Sequence, residues 1–223
     1  MFKFKGISSD DMQVVIEEEQ HFIAKASQKI ESISINGRDG ELLEFNGYSN
    51  VERPIKVQIL NINLIDDIFS WLNGTGILEY NNRITTAHFY QSIEPIRSSS
   101  IRIADFMFIR SPFWFKKNDE YVIVIDTVKN EGNIYSKPII RLEKGNEENI
   151  EITIAGIRFS YNFNGEDYVE IDCNDMNAYY DSLLRNRHLT IGYEFPCLQP
   201  GENEIIIHQG DPIIKIKRKD CWL

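Results

Sequence analysis

Apolar and polar residues alternate along most of the chain, and this pattern predicts strands. Ile33 and Ile35 share one face of a run at 32–36, and two further alternating runs follow at 42–45 and 55–59. The linking turns read GRDG and NGYSN, which supply residues that tolerate positive φ. We therefore expect a three-stranded meander rather than a phosphate-binding loop, because a second strand follows the glycines where a P-loop needs a helix.

One segment has helical spacing instead. Asn63 precedes it as a candidate cap, two acidic residues occupy its first turn, and Gly74 follows its end. The apolar residues that would share one face of this helix are Ile65, Ile68, Phe69 and Leu72. Trp71 lies off that stripe, so we expect it to pack against a neighbouring element.

The remaining pattern again indicates strands, arranged in two domains. Runs at 76–80, 83–90, 101–110 and 120–126 alternate, and SPFWFKKND at 111–119 is expected to be a loop whose aromatic residues cover a core edge. The segment 128–138 is polar and rich in turn residues, which is typical of a boundary. Seven short strand signals separated by turns follow, as in a β-sandwich. We predict a mainly β fold with domains at 1–130 and 131–223.

Composition narrows the class of protein. The 223 residues include 24 basic and 34 acidic ones, giving a net charge of −10. Stable nucleic-acid binding is not expected, because such affinity comes largely from basic groups that neutralise phosphates. No run approaches the length of a membrane helix, and the N-terminus becomes polar within ten residues, unlike a signal peptide. We expect neither membrane insertion nor secretion.

Metal and nucleophile signals are weak. Cys173, Cys197 and Cys221 are widely spaced without a C-x-x-C pair, and we expect reduced, buried or partly exposed thiols. The histidines at 21, 88, 188 and 208 share no ligand spacing, and no G-x-S-x-G motif occurs. The sequence therefore predicts no catalytic, cofactor-binding or metal-binding residues, no cofactor and no enzymatic activity.

A cluster of carboxylates gives an alternative. In DYVEIDCND, Glu170 and Asp172 would project from the same face of a strand, with Val169 and Ile171 on the other. Paired carboxylates perform acid–base work in glycosidases. A solvated strand face explains the same pattern, and nothing else along the chain indicates a sugar-cleaving groove.

Four stretches together resemble the distal tail proteins of long-tailed, non-contractile phages that infect Gram-positive bacteria. The chain opens with FKFKGISSDDMQVVIEE, similar to the family's first strand, and continues with a GRDG turn leading into its meander. A WLNGTGILEY segment follows the helix, and the C-terminal half carries DYVEID and FPCLQPGENEIII. The order and spacing of these motifs carry the resemblance across nearly the whole chain.

The resemblance implies a tail-tube-like β-sandwich or barrel that forms a hexameric ring, and a galectin-like β-sandwich at its periphery. The implied role is a virion structural protein at the phage or prophage tail tip or baseplate, made and assembled in the host cytoplasm. It implies contacts with other copies, as one hexamer or a stacked dodecamer, and with the tail tube, the tail-tip or lysin protein and the receptor-binding protein. The ring would let DNA pass.

The alternation of apolar and polar residues agrees with a protein that acts by binding other subunits. Strand-rich domains can pair the edges of their sheets between subunits. The meander and the 83–110 region suit such pairing. An acidic lumen is a further hypothesis, since it would let DNA slide without adhering. The alternative is a carbohydrate-binding β-sandwich protein that recognises host-surface glycans, and a glycosidase using Glu170 and Asp172 is a third hypothesis.

Overall fold

The computed structural model describes residues 1–17, 22–92, 95–98 and 101–223. It is mostly β, as predicted, and divides into two compact units. The first unit comprises residues 1–117 and Leu223, and the second comprises residues 118–222.

The first unit is built from eleven described strands and one short helix. The strands are β1 Phe2–Phe4, β2 Ile7–Ser8, β3 Val14–Ile16, β4 Gln28–Ser34, β5 Glu41–Tyr48, β6 Val51–Ile59, β7 Gly74–Tyr80, β8 Arg83–Ser92, β9 Ile96–Ser98, β10 Ile101–Arg110 and β11 Trp114–Lys116. A 3-10 turn at Ile62–Leu64 leads into the helix α1, Ile65–Trp71. The main sheet has the antiparallel order β2-β1-β7-β8-β10-β6-β3.

Aromatic side chains fill the core of this unit. Phe2 stacks on Trp71 with ring centroids 5.3 Å apart, and Trp71 Nε1 donates a hydrogen bond to the Phe4 carbonyl at 2.8 Å. The predicted packing of Trp71 against a neighbouring element is therefore confirmed. Ile68 and Leu72 are also buried, as the helical stripe predicted. The capping residue differs from the prediction. The Asn61 side chain caps the 3-10 turn before the helix by accepting the backbone N–H of Asn63, the residue that was expected to be the cap.

The predicted three-stranded meander is wrong in its third strand. β4 and β5 pair with each other in a sheet of two described strands, whereas β6 pairs with β10 and β3 in the main sheet. Burial of the side chains explains the separation. β6 buries alternate residues in the core, including Ile55, Val57 and Ile59, and only the main sheet offers that core.

The segment predicted as a loop at 111–119 contains the short strand β11. Phe115 and Lys116 pair with β8, and the Trp114 side chain is buried. The aromatic residue thus extends the core of the unit instead of only covering its edge.

The second unit contains the remaining described strands. These are β12 Val122–Val124, β13 Thr127–Asn130, β14 Ile139–Glu143, β15 Asn149–Ile154, β16 Ile157–Asn162, β17 Tyr168–Asp172, β18 Asn177–Tyr180, β19 Leu183–Leu184, β20 Leu189–Ile191, β21 Gly201–Gln209, β22 Ile213–Lys217 and β23 Cys221–Trp222, with a 3-10 turn at Asn186–His188. One sheet has the order β12-β22-β14-β17-β18-β19 and the other β13-β21-β15-β16-β20.

The inner faces of these two sheets share one apolar core. Ile140, Val169 and Ile216 of the first sheet belong to the same buried cluster as Ile152 and Phe159 of the second. β14, β15 and β17 each bury alternate residues toward this cluster, which is the arrangement of a β-sandwich. The predicted succession of short C-terminal strands is thus observed.

Residues 118–130 fold with the second unit, although the sequence placed the domain boundary after residue 130. β12 pairs with β22, and β13 pairs with β21. Asn130 looks like a linker residue in the sequence, but its side chain is buried and donates hydrogen bonds to the carbonyls of Ile134 and Leu198, both at 3.0 Å. In this segment the polar Asn130 is a buried residue that hydrogen-bonds backbone carbonyls, and not part of an exposed linker. The division into domains at 1–130 and 131–223 remains a proposal.

Candidate functional site: an exposed apolar hairpin

The hairpin formed by β4 and β5 is the most unusual surface of the first unit. Every residue of β4 and all but the last residue of β5 are exposed. The pairing places Ile30 opposite Phe45 and Ile33 opposite Leu42, with a bulge between Gln28 and Ile30. Large apolar side chains therefore stand in solvent along the length of the hairpin.

These apolar side chains lie on both faces of the hairpin. Ile30, Phe45 and Leu43 share one face, because Leu43 pairs with Ser32 two positions along from Ile30. Ile33 and Leu42 form a pair on the opposite face. Ile30 and Phe45 are 55% and 56% exposed on the first face, and Ile33 and Leu42 are 45% and 40% exposed on the second. The described residues therefore leave both faces open.

The turn and the base of the hairpin are well formed. Gly37 and Gly40 have φ values of 82° and 78°, the left-handed region that the predicted turn requires. At the base, the Ser49 N–H donates to the Ser27 carbonyl at 2.8 Å, and the Tyr48 ring lies 5.4 Å from that of Phe113. The hairpin is therefore anchored to the first unit at one end and extends beyond it.

A two-stranded hairpin exposed on both faces is marginal in water, because it needs a further strand or surface to bury its apolar side chains. Exposed contiguous apolar residues mark interaction sites in soluble proteins. Exposed carboxylates share these strands, since Glu31 lies opposite Glu44 and the Ser34 hydroxyl donates to Glu41 at 3.3 Å. The sequence contains one signal for the apolar surface: the adjacent Leu42 and Leu43 must point to opposite faces of a strand.

The second unit brings together the carboxylates considered for acid–base work. Glu170 and Asp172 do project from the same face of β17, as predicted, while Val169 and Ile171 are buried. Their contacts are structural. Glu170 Oε1 lies 3.1 Å from Arg141 Nη1 and accepts a hydrogen bond from the Tyr121 hydroxyl at 2.9 Å.

Asp172 is occupied in a turn. Its Oδ1 accepts the backbone N–H groups of Asn174 and Asp175 at 2.8 and 3.1 Å. Burial and the hydrogen bond to Glu170 raise the pKa of Tyr121, so this tyrosine remains a neutral donor. Glu170 is held by an ion pair with Arg141 of β14, and Asp172 by backbone N–H groups of the following turn. These contacts favour a solvated strand face.

The described histidines lie on separate strands or turns. His88 is hydrogen-bonded to Thr75 and His208 to Thr153, each at 2.8 Å, and His188 lies beside Arg187 and Tyr161. His21 lies outside the described residues. Across residues 1–17, 22–92, 95–98 and 101–223, no group of three or more His, Cys, Asp or Glu side chains could hold a metal. The predicted absence of a catalytic, cofactor or metal site stays a prediction.

The three cysteines are free thiols. Cys173 and Cys221 are buried, and Cys197 is partly exposed, as the sequence predicted. Burial raises the pKa of Cys221 to about 12, and the Cys221 thiol donates to the Tyr135 carbonyl. Thiols kept protonated in this way are poor nucleophiles. In the described part of the chain, no helix is long and apolar enough to span a membrane.

Comparison with known proteins gives a family for the second unit. Residues 131–222 match the family described as siphovirus-type tail component, C-terminal domain. No curated protein sequence matches the chain.

Solved structures give the fold of the whole chain. The crystal structure of the Dit protein of phage SPP1 is similar over 97% of each chain, with a TM-score of 0.71 and 13% identity. That protein is described as a paradigm of the hub adsorption apparatus in phages that infect Gram-positive bacteria. A chain of the phage P2 baseplate in its activated conformation with Ca covers 96% of this chain and 93% of its own, with a TM-score of 0.46 and 10% identity. The match of residues 131–222 to this family model, together with the fold shared with the SPP1 protein, confirms the resemblance to the distal tail proteins.

Proposed function

We propose that this chain is a structural distal tail protein of a phage or prophage, and that six copies form a ring joining the tail tube to the adsorption apparatus. The hairpin is the observation that carries the proposal. A chain that exposes apolar residues on both faces of an extended hairpin gains stability by burying them against other subunits. The tail family of residues 131–222 and the fold shared with the SPP1 protein support the same role.

The ring forms by repetition of one heterologous contact around an axis. The hairpin of each copy packs against the first unit of the next, and the second unit, a galectin-like sandwich, lies at the periphery. The tail tube protein, the tail-tip or lysin protein and the receptor-binding protein are the proposed partners. The protein is made and assembled in the host cytoplasm and resides at the virion tail tip.

The distribution of charge is compatible with DNA passage. Residues 1–117 hold 13 basic and 15 acidic residues, whereas residues 118–222 hold 11 basic and 19 acidic ones. The acidic excess thus lies mainly in the second unit. A nearly neutral ring offers few uncompensated cations for phosphates, so DNA passes without being retained. The distinctly acidic lumen expected from net charge alone is not required.

Light scattering on the purified protein tests the proposal. We expect a mass six or twelve times that of the 26.0-kDa chain. A mass equal to one chain across a wide range of concentrations would contradict ring formation. A glycan array addresses the carbohydrate-binding alternative, and we expect no specific signal. Glu170 and Asp172 bear only on the glycosidase hypothesis, which their replacement would test.

A further inference from the structure

Two carboxylates of the hairpin lie directly opposite each other and form an acidic pair. Glu31 of β4 pairs with Glu44 of β5, and both residues are exposed. Glu31 Oε2 accepts a hydrogen bond from the neutral Asn46 amide at 3.2 Å, and among the described residues neither carboxylate forms an ion pair. Like charges directly opposite are destabilising, so this pair weakens the hairpin unless cations approach it.

The second unit shows how a like-charge pair is compensated within one sheet. Arg141 of β14 lies opposite Lys215 of β22. A carboxylate accompanies each of these cations, because Lys215 Nζ lies 2.7 Å from Glu143 Oε1 and Arg141 Nη1 lies 3.1 Å from Glu170 Oε1. In the described part of the chain, the acidic pair of the hairpin has no comparable cation.

A basic pair with the same backbone geometry lies in the main sheet. Arg97 of β9 lies opposite Arg102 of β10, and Arg97 is exposed while Arg102 is half-buried. Residues that are direct cross-strand neighbours have Cβ atoms about 4.5–5.5 Å apart. The two residues of the acidic pair are therefore spaced like the two residues of the basic pair.

Apolar side chains accompany each pair. On the hairpin, Ile33 and Leu42 share the face of the acidic pair, because they pair two positions further along the same strands. Beside the basic pair, β6 ends at Ile59, and the large apolar residues Leu60 and Ile62 follow and are exposed. The two surfaces are thus complementary in charge, and each offers apolar groups to the other.

The two pairs belong to opposite ends of β6. The hairpin leads through residues 49–50 into β6 at Val51, whereas the basic pair lies beside Ile59. Eight steps of about 3.3 Å along the strand separate these ends by about 26 Å. Complementary surfaces at opposite ends of one element favour a head-to-tail contact between copies, which is the heterologous kind that closes into rings.

We propose that the hairpin face carrying the acidic pair docks on the basic pair of a second copy of the chain. The two carboxylates accept hydrogen bonds from the two guanidinium groups, and the apolar side chains beside each pair pack together. Guanidinium–carboxylate contacts have a defined geometry, so they fix the orientation of the hairpin as well as attracting it. This contact rests on the proposed ring and specifies the surfaces that form it.

Two charge-reversed variants test the contact. One carries Glu31→Arg and Glu44→Arg, and the other carries Arg97→Glu and Arg102→Glu. Either variant alone would place like charges against each other in every contact, so light scattering should report a single-chain mass. In an equal mixture, the two variants can alternate around a ring with an even number of copies. Every contact then joins opposite charges, and the mixture should recover the wild-type mass.

A matched control reverses two carboxylates elsewhere. Glu202→Arg/Glu204→Arg changes exposed positions of β21 in the second unit and should keep the wild-type mass. Circular dichroism and urea unfolding check that each variant is folded. If a double reversal does not fold, the single changes Glu44→Arg and Arg97→Glu, both at exposed positions, replace it. Each should weaken association at least about tenfold, and mixing the two should restore part of the loss.

The outcomes separate this contact from the ring itself. Charge-reversed variants that assembled alone like the wild type would overturn the contact and leave ring formation standing. Folded variants that stayed single in the mixture would show that the two pairs do not face each other. A wild-type protein that stayed single at all concentrations would contradict the ring and this contact with it.

Discussion

Ile30 and Phe45 face each other across β4 and β5, and more than half of each side chain is in contact with solvent. Cross-strand pairs of this kind normally help bury a sheet face, and they contribute about 0.2–1 kcal/mol to it. Among the described residues, no further layer covers this pair. In the ring that we propose, a neighbouring subunit supplies that layer and with it the principal stabilisation of the pair.

Phe45→Asp should abolish assembly while leaving the fold intact. The side chain contributes to an exposed surface, so we expect the free energy of unfolding to change by no more than about 0.5 kcal/mol. Light scattering should report a single-chain mass for the variant. Met176→Asp is the matched control, since Met176 is equally exposed but lies in the second unit, and it should keep the wild-type mass. If the Phe45→Asp variant still assembled, the hairpin would not be part of the subunit interface.

Arg110→Met should destabilise the first unit by about 2–4 kcal/mol. Arg110 is buried, and its guanidinium donates to the carbonyls of Ser111 at 2.8 Å and Pro112 at 3.2 Å, and to that of Ala24. It also lies 5.2 Å from the ring centroid of Trp114. Methionine fills part of the volume but leaves these carbonyls without a donor.

Urea unfolding measures this cost. Arg53→Met is the control, because the exposed Arg53 contacts only the adjacent Glu52 carbonyl among the described hydrogen bonds, and its effect should stay within about 0.5 kcal/mol. Equal midpoints for the two variants would show that Arg110 does not tie residues 22–26 to the sheet.

Glu166 should make the second unit sensitive to acid. Burial alone would raise the pKa of this carboxyl, but the Asn164 N–H at 2.6 Å and Arg185 Nε at 2.6 Å outweigh it and lower the pKa below its usual range. The unfolded chain then binds more protons in the acid range, so the stabilisation is complete above the unfolded pKa and is lost as pH falls through the lowered one.

Glu166→Gln should therefore lower the free energy of unfolding by about 1–3 kcal/mol at pH 7 and by much less at pH 3. Urea midpoints at the two pH values provide the comparison. Glu204→Gln, at an exposed position of β21, should produce little change at either pH. A loss at pH 3 as large as at pH 7 would contradict the role assigned to the ion pair.

Gly132→Ala should disrupt the second unit near the start of its sandwich. A Cβ at this position would lie 2.1 Å from the Cys221 carbonyl oxygen and 2.9 Å from the Cys221 nitrogen, so the backbones must move apart. We expect a cost of about 1–3 kcal/mol, as in other overpacked sites. Gly192→Ala, where nothing lies within 4 Å of the added carbon, is the control and should be nearly neutral in the same urea titration. Equal effects would show that the chain can relax around residue 132.

Local patterns predicted most elements but not how they pair. Alternation identifies β6 by Ile55, Val57 and Ile59, and all three are buried as expected. It cannot reveal that β6 pairs with β10, because that choice depends on which surface can cover the buried face. Polar composition similarly suggested a linker at 128–138, although Asn130 and Gly132 lie there in tight, hydrogen-bonded contacts.

The hairpin itself was predictable, but its exposure was not. Gly37 and Gly40 mark the turn, and the flanking alternation gives the strands. Whether Ile33 and Leu42 face a core or solvent depends on where the rest of the sheet lies. The position of β12 at the edge of its sheet could not be predicted either. A run of strand-forming residues has the same sequence pattern at the centre and at the edge of a sheet.

Negative-stain electron microscopy of the purified protein tests the central claim most directly. The account predicts ring-shaped particles with six-fold averages and a central hole for the wild type, and their loss in Phe45→Asp. Fields without rings from wild-type protein that is folded by circular dichroism, or rings that persist unchanged in Phe45→Asp, would contradict it.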